Sequence, residues 1–418
     1  MSDKIDAEQF IKEELEPPSW LNSQFIGQIL SEHEEASELQ VIDLKIRPAS
    51  FEGDHYASLM FRTTVEYTTA KGKFSKHLIV KTESEPKGPK KESHMFETEI
   101  GMYCHVLPEF ERILREAGDK TKLFVPCLYH SLEPHKVMIF EDLVPLGYSL
   151  IRTRPVEKVE LKTAFSKLAK WHAVSMKVIK EQPQLVEQFK YGLFDGINIQ
   201  TDSFITSGIY KFIEMLDKLP KLKKYKPHFE KIKDSYLQRL KDEWLEHREN
   251  RRLDTYYVLS HGDFHIRNIM FKNNRETGVH EDAMLLDFQL SNVCPISSDL
   301  IFSIYMLLEP EQRREMGKDL IDYYFNVLLA TLRSIRYQGD MPIESKFWEE
   351  IRRNKYFDFF LLSTFLPPIL AVKSKSYKMH EIVPNPEICQ KVYFMDTYVE
   401  DVTKLLPQFD KLGYFEGL

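Results

Sequence analysis

The stretch His261-Gly262-Asp263-Phe264-His265-Ile266-Arg267-Asn268, followed by Asp287-Phe288-Gln289, holds the residues best suited to chemistry. A carboxylate at Asp263 and a carboxamide at Asn268, five positions apart, can both face one point from a tight loop. The apolar runs 269–271 and 284–286 read as paired strands, and their hairpin returns Asp287 to the same place. Two carboxylates and an amide oxygen then surround one small volume. Hard oxygen ligands of that kind suit Mg²⁺ carrying substrate phosphates, with one carboxylate left to receive a hydroxyl proton. A single Asp or Asn in such a loop most often caps a turn. The joint pattern is what points to phosphoryl transfer.

Such a site also needs a lysine on a strand, a carboxylate to hold it and a loop to cover the phosphates. Lys81 ends the apolar strand Leu78-Ile79-Val80-Lys81, where a long cation must find a partner or snorkel outward. Glu99, on the helix that follows, is the partner candidate; Glu97 competes from a different helix face. The covering loop, 51–58, contains one glycine, Gly53, and Ser58 could offer a hydroxyl; a plain hairpin reads as well. Between the halves, Glu141-Asp142-Leu143 followed by Gly147 reads as an extended connector. The backbone of Glu141 and Leu143 is suited to an adenine edge, and a simple interdomain linker fits equally.

The elements that must position these residues fall into two lobes. An acidic amphipathic segment opens the chain, and 1–39 reads as a helical extension. Strands are expected at 41–46, 56–67 and 76–82, with a hairpin at 69–72. A helix follows over 91–117, with Met95, Phe96, Ile100, Tyr103 and Leu107 on one face, then strands at 124–129 and 136–140. Beyond Gly147 the pattern is helical apart from the segment around the catalytic loop. The expected fold is therefore α+β and two-lobed, with a β-rich lobe at 40–140, a hinge at 141–147 and a helical lobe at 148–418.

Composition limits the alternatives. The net charge of −7 argues against a nucleic-acid binder. The cysteines, Cys104, Cys127, Cys294 and Cys389, are far apart and form no C-x-x-C pair, so packed, reduced thiols are expected rather than a zinc site. Residues 1–16 are acidic and lack an apolar core, so no secretory signal is expected and the protein reads as cytoplasmic. The most apolar run, 356–372, contains Asp358 and Pro367-Pro368 and reads as a buried helix, not a membrane span. The chain is rich in Phe (28) and Tyr (20), and the C-terminal helices expected at 301–308, 323–332 and 348–372 carry many of them. They suit the wall of an enclosed apolar pocket, although most must serve the core.

Taken together these residues resemble the small-molecule kinases of protein-kinase-like fold, among them choline kinase and aminoglycoside phosphotransferase relatives. More narrowly the sequence is similar to the ecdysteroid kinase-like (CHK kinase-like) family. That likeness rests on Gly53-Asp54-His55-Tyr56-Ala57-Ser58 with Arg62, on Phe96-x-x-Glu99-x-x-x-Tyr103-x-x-x-x-Pro108, and on Asp287-Phe288-Gln289 where protein kinases carry D-F-G; it runs from about residue 35 to the C-terminus. The resemblance implies that Asp263 is the catalytic base, that Asn268 and Asp287 hold Mg²⁺, that Lys81 contacts the phosphates of ATP and that Glu99 orients Lys81. It implies that Asp299 braces the catalytic loop, where a helix N-cap is the plainer reading. Phe264 directly after Asp263, and His265 where relatives often carry tryptophan, depart from the pattern; His265 could tune the acceptor site or pack. Asp299 follows Asp287 by only 12 positions, too few for a peptide-docking segment. The expected activity is phosphorylation of a small, lipophilic alcohol, such as an ecdysteroid-like hormone or a hydroxylated xenobiotic, by a protein expected to be monomeric. The alternatives are a scaffold that has lost catalysis and a choline- or ethanolamine-type kinase.

Overall fold

Apolar alternation along two adjacent strands builds the centre of the first lobe. The computed structural model describes residues 16–49, 58–83, 94–196 and 200–418. β2 (Leu59–Thr69) buries Phe61, Thr63, Val65 and Tyr67, every second residue, and turns into β3 (Gly72–Thr82) with Thr69 opposite Gly72. With β1 (Gln40–Pro48), β4 (Cys127–Ser131) and β5 (Val137–Glu141) they form an antiparallel sheet of order β1-β2-β3-β5-β4. The expected strand order along the chain is thus present. Residues 56 and 57 of the expected second strand and 51–57 of the covering loop, Gly53 included, lie outside the described residues.

Helix α1 (Ser23–His33), capped by Asn22, lays Ile26, Ile29 and Leu30 on one face of this sheet. Leu21, Ile26, Ile29 and Leu30 therefore share the core of the first lobe, while residues 1–15 of the expected extension lie outside the described residues. The other face is covered by the helix bearing Glu99, which is not continuous. α2 (Met95–Gly101) widens into a π-turn, Met102–Val106, before α3 (Leu107–Glu116). Pro108 explains this: it has no N–H to offer the carbonyl four residues back, and its ring crowds that turn.

The connector leaves β5 and turns at Gly147, which adopts φ +94. β6 (Tyr148–Ser149) then joins the second lobe by pairing with β8 (Ile269–Asn273), which pairs with β9 (His280–Leu285). A second small sheet pairs β7 (Tyr257–Leu259) with β10 (Val293–Pro295). The remainder is helical. The longest pair, α4 (Lys158–Glu181) and α8 (Pro310–Ser334), pack on one another, with α5 (Ser203–Lys218), α6 (Tyr236–Glu249) and α7 (Ser297–Met306) between them in the chain.

After α9 (Glu344–Arg353), the apolar run forms α10 (Lys355–Phe360), a π-turn Leu361–Phe365 and α11 (Leu366–Lys373). The helix adapts to Pro367-Pro368 by widening instead of stopping. The carbonyls freed there, Leu362 and Ser363, accept hydrogen bonds from Tyr398 Oη at 2.8 Å and Tyr393 Oη at 2.7 Å. Lys355–Lys373 is long and apolar enough to cross a membrane, and 78% of its apolar window is buried inside the protein, as expected of a core helix. The architecture is α+β in two lobes.

Candidate active site

Lys81 emerges from the register of β3 opposite Met138 of β5 and is almost fully buried. Its Nζ lies 2.5 Å from Glu99 Oε2 and 2.9 Å from Asp287 Oδ1. Burial alone would depress the amine's pKa, but the two carboxylates more than reverse this and raise it. Glu99 is equally buried; burial raises its pKa, Lys81 opposes the rise and the nearby Asp287 adds to it. Glu97 faces elsewhere and pairs with Lys136 at 3.1 Å. The structure thus separates the two glutamates that the sequence left open.

Asp287 sits just past β9 with φ +63, a left-handed conformation that Asp tolerates better than most residues. The hairpin that delivers it begins at Asn268, and Leu286 N–H donates to Asn268 O at 2.9 Å. Asn268 is buried and donates Nδ2–H to Asp263 O at 3.1 Å and to Asp263 Oδ2 at 3.0 Å. Two short series of contacts result, Glu99–Lys81–Asp287 and Asn268–Asp263, joined where Leu286, the residue before Asp287, pairs with Asn268. Asp263 is held below the usual carboxylate range: burial would raise it, but contact with His265 and the Asn268 hydrogen bond prevail. His265 Nε2 lies 3.3 Å from Asp263 Oδ1, and that carboxylate outweighs burial to raise the imidazole.

The loop itself is clamped from behind. Asp299 is fully inside the protein, the third residue of α7 and not its N-cap. Its carboxylate accepts His261 N–H at 2.6 Å and Gly262 N–H at 2.9 Å. His172 Nε2 lies 3.0 Å from Asp299 Oδ2, and His172 Nδ1 lies 2.5 Å from Tyr324 Oη. These donors keep Asp299 ionised against the opposing effect of burial. Gly262 adopts φ +81, and a Cβ there would meet Leu290 O at 2.1 Å, so both conformation and space demand glycine. His261 is wholly buried and its pKa is lowered by burial. Its ring packs 5.3 Å from Phe288, which stacks on Trp171 at 5.1 Å and touches Tyr103 at 5.5 Å. An aromatic column thus links the π-turn beyond Glu99 to the loop.

The connector is also braced. Arg62 reaches from β2 to the buried Asp142, with Nε 2.5 Å from Oδ2 and Nη2 3.4 Å from Oδ1, while Val144 N–H donates to Oδ1 at 3.0 Å. Glu141 ends β5 opposite Leu78, and Leu143 is buried. Ser58 is half-buried and directly precedes β2. Of the expected site residues, Lys81, Glu99, Asp263, Asn268 and Asp287 come together, and Glu141 and Leu143 form the connector. Arg62 with Asp142, and His172 with Tyr324, are site-supporting pairs that sequence reasoning missed as pairs.

Phe194, Trp244, Phe302 and Phe357 line a small cavity of about 20 Å³ beside Gly262, with Ser260 and Asn292 among its polar residues. A wider cleft of about 590 Å³ between α1 and β1 is lined by Ser23, Gln24, Gln28 and Gln40 and lies away from this chemistry. Among the described residues, no cluster of three or more His, Cys, Asp or Glu side chains could hold a metal ion. The donor set nonetheless fits a hard cation that brings its own oxygen ligands. Asn268 commits its amide N–H groups to Asp263 and keeps its Oδ1, and Asp287 keeps one carboxylate oxygen beyond the one on Lys81.

The model of the ecdysteroid kinase-like family matches residues 52–337, more than half of the chain. The chain belongs to this family. No curated protein matches it. Among solved structures, an aminoglycoside 2'-phosphotransferase in complex with GDP is 11% identical, with 94% of this chain and 99% of that one covered and a TM-score of 0.37. The AMP complex of a spectinomycin phosphotransferase is 14% identical over 90% of this chain and 99% of that one, with a TM-score of 0.35. Choline kinase LicA from Streptococcus pneumoniae is 12% identical over 92% and 99%, again with a TM-score of 0.35. This ecdysteroid kinase-like chain keeps a polar residue at every position of the core set Lys81, Glu99, Asp263, Asn268 and Asp287.

Proposed function

We propose that the protein is an ATP- and Mg²⁺-dependent phosphotransferase that acts on a hydroxyl of a small lipophilic alcohol, of the class of an ecdysteroid-like hormone or a hydroxylated xenobiotic. The observation that carries the reading is the pair of contact series Glu99–Lys81–Asp287 and Asn268–Asp263, set side by side by the hairpin that joins Asn268 to Leu286. A cation already positioned by two carboxylates is prepared to meet phosphate oxygens, and a carboxylate fixed by its neighbours is prepared to accept a proton.

In this reading Asp263 takes the proton of the acceptor hydroxyl, that oxygen forms a bond to the γ-phosphorus, and the bond from phosphorus to the β-bridging oxygen breaks to release ADP. Lys81 binds the α- and β-phosphates, and Glu99 keeps it in place. Glu141 and Leu143 offer backbone groups to the adenine edge, and the loop containing Gly53 and Ser58 covers the phosphates. Asn268 Oδ1 and Asp287 would hold Mg²⁺, which neutralises charge on the phosphate oxygens when bound. Asp299 keeps the loop in register. The aromatic residues beside Gly262 favour an apolar acceptor, and a cavity with room for about one water must widen to admit it. The four thiols, free in the structure, fit a cytoplasmic protein.

Purified protein incubated with γ-labelled ATP·Mg²⁺ and a panel of hydroxylated steroids, phenols and choline is expected to label a steroid or phenol. The reading fails if the protein binds no nucleotide and labels nothing. Preferential labelling of choline would move it to the ammonium alcohols, and nucleotide binding without transfer to any acceptor would favour a scaffold.

A further inference from the structure

The ring of His265 is a second group, beside Asn268, in contact with the Asp263 carboxylate. The ring is held in a defined way. His265 caps the short turn Ile266–Asn268, and Arg267 N–H donates to its Nδ1 at 3.2 Å. An imidazole that accepts at Nδ1 is neutral and carries its proton on Nε2. That nitrogen is the one 3.3 Å from Asp263 Oδ1. On the far side of the same carboxylate, Asn268 Nδ2 lies 3.0 Å from Oδ2. Both oxygens of Asp263 therefore face a donor, one from each end of a single turn, since Asn268 N–H closes that turn onto His265 O at 3.0 Å.

We propose that His265 is a positioning residue for phosphoryl transfer: its Nε2–H secures Oδ1 of Asp263 and, with Asn268, sets the direction in which the carboxylate meets the acceptor hydroxyl. This rests on the reading of Asp263 as the base. The ring is not itself the base, because Nδ1 is filled by Arg267 N–H and Nε2 faces the carboxylate, so no lone pair is directed at an acceptor. At 3.3 Å the contact is longer than a strong hydrogen bond, and such contacts tighten when substrate arrives. Phe302 lies 6.5 Å from the imidazole and also lines the aromatic cavity, which places His265 between the base and that wall.

The test separates the two ring nitrogens. Glutamine places its amide where Nε2 stood, whereas asparagine reproduces the Nδ1 position and falls short of Asp263. With ATP·Mg²⁺ as phosphate donor and water as acceptor, His265→Asn and His265→Phe should lower kcat about ten- to hundredfold with the nucleotide KM unchanged. His265→Gln should restore most of it. Equal losses for Gln and Asn, or a loss confined to KM, would overturn the proposal. A second readout needs no activity: ¹⁵N spectra of histidine-labelled protein, assigned by the peak lost in His265→Gln, should show the Nε2–H tautomer and a shift in Asp263→Asn. An Nδ1–H tautomer, or no response to Asp263→Asn, overturns the proposal whatever the enzyme does. If every variant including Asp263→Asn matches the parent in phosphate release while the tautomer is Nε2–H, it is the reading of Asp263 as base that fails.

Discussion

On one wall of the candidate site, contributed by β3 and α2, a single cation lies between two carboxylates, and Lys81 and Glu99 are nearly out of water. On the other, the 261–268 loop is held by a carboxylate that receives two backbone N–H groups and an imidazole. The first wall carries one positive charge against two negative ones, so its balance changes whenever an anionic phosphate or another cation enters. The second is saturated by donors whose charge does not depend on a ligand. A site that must exchange its bound partner and keep its catalytic base still is served by that division. The π-turn adds to it: Pro108 interrupts the helix between Glu99 and the part that packs on the second lobe, where Phe110 meets Trp171 at 5.3 Å. The loop, by contrast, leaves Gly262 no freedom, since a side chain there would collide with Leu290 O.

The largest effect should come from the group that both walls serve. Asp263→Asn keeps the shape and the Asn268 contact but removes the proton acceptor; transfer should fall about thousandfold, near 4 kcal/mol of barrier. Thermal unfolding close to the parent's, measured beside turnover, would show that the loss is chemical. Next is Asp299→Ala, which strands buried N–H groups and His172 and should cost about 3–5 kcal/mol in chemical denaturation. The comparison breaks if the first wall proves as rigid. Replacing its ion pair by apolar residues, Lys81→Met with Glu99→Leu, should leave stability within about 1 kcal/mol of the parent, because the cost of burying the charges goes with them. The same double variant should lose nucleotide binding in calorimetry. A loss of stability equal to that of Asp299→Ala would abolish the distinction.

The smallest effects concern pH, and here the walls should have opposite signs. The folded pKa of Glu99 is raised, so its contribution to stability is complete below its unfolded value of 4.5 and declines as pH rises above it. The folded pKa of Asp299 is lowered, so its contribution is present above 3.8 and disappears as pH falls further. Glu99→Gln should flatten the alkaline side of a stability–pH curve and Asp299→Asn the acid side, each by at most about 1.4 kcal/mol per pH unit, the limit for one proton. Burial lifts Asp358 and Glu350 to about 7 as well, so Glu99→Gln removes one share of the alkaline slope and leaves the rest. Matching changes in both variants on the same side of the curve would contradict the assignment.

Much of this was legible before any fold was known, because some chemistry is local. Asp263 and Asn268 share one turn, and a hairpin of two apolar runs can only return Asp287 to its start. The strand alternation that buries Phe61, Val65 and Tyr67 is equally local. What escaped was pairwise and distant. Arg62 and Asp142 are 80 positions apart, and His172 and Asp299 are 127 apart. Exposed Glu97 and buried Glu99 differ only in which face of α2 meets the sheet. The continuous helix expected over 91–117 is widened ahead of Pro108, and the one expected over 348–372 is divided at Asn354 and widened ahead of Pro367-Pro368, where the hydroxyls of Tyr393 and Tyr398 meet the freed carbonyls.

The sequence by itself determined the two-lobed order of strands and helices, the loop that presents Asp263 and Asn268, and the glycines at 147 and 262, because backbone conformation and side-chain periodicity are properties of neighbours. The tertiary structure alone decided which carboxylate holds Lys81, that Asp299 grips the loop instead of capping its own helix, and that His265 faces Asp263. Those outcomes depend on where buried charge finds compensation, and a buried charge is satisfied by whatever the fold brings within about 3 Å, however far away it lies in the chain.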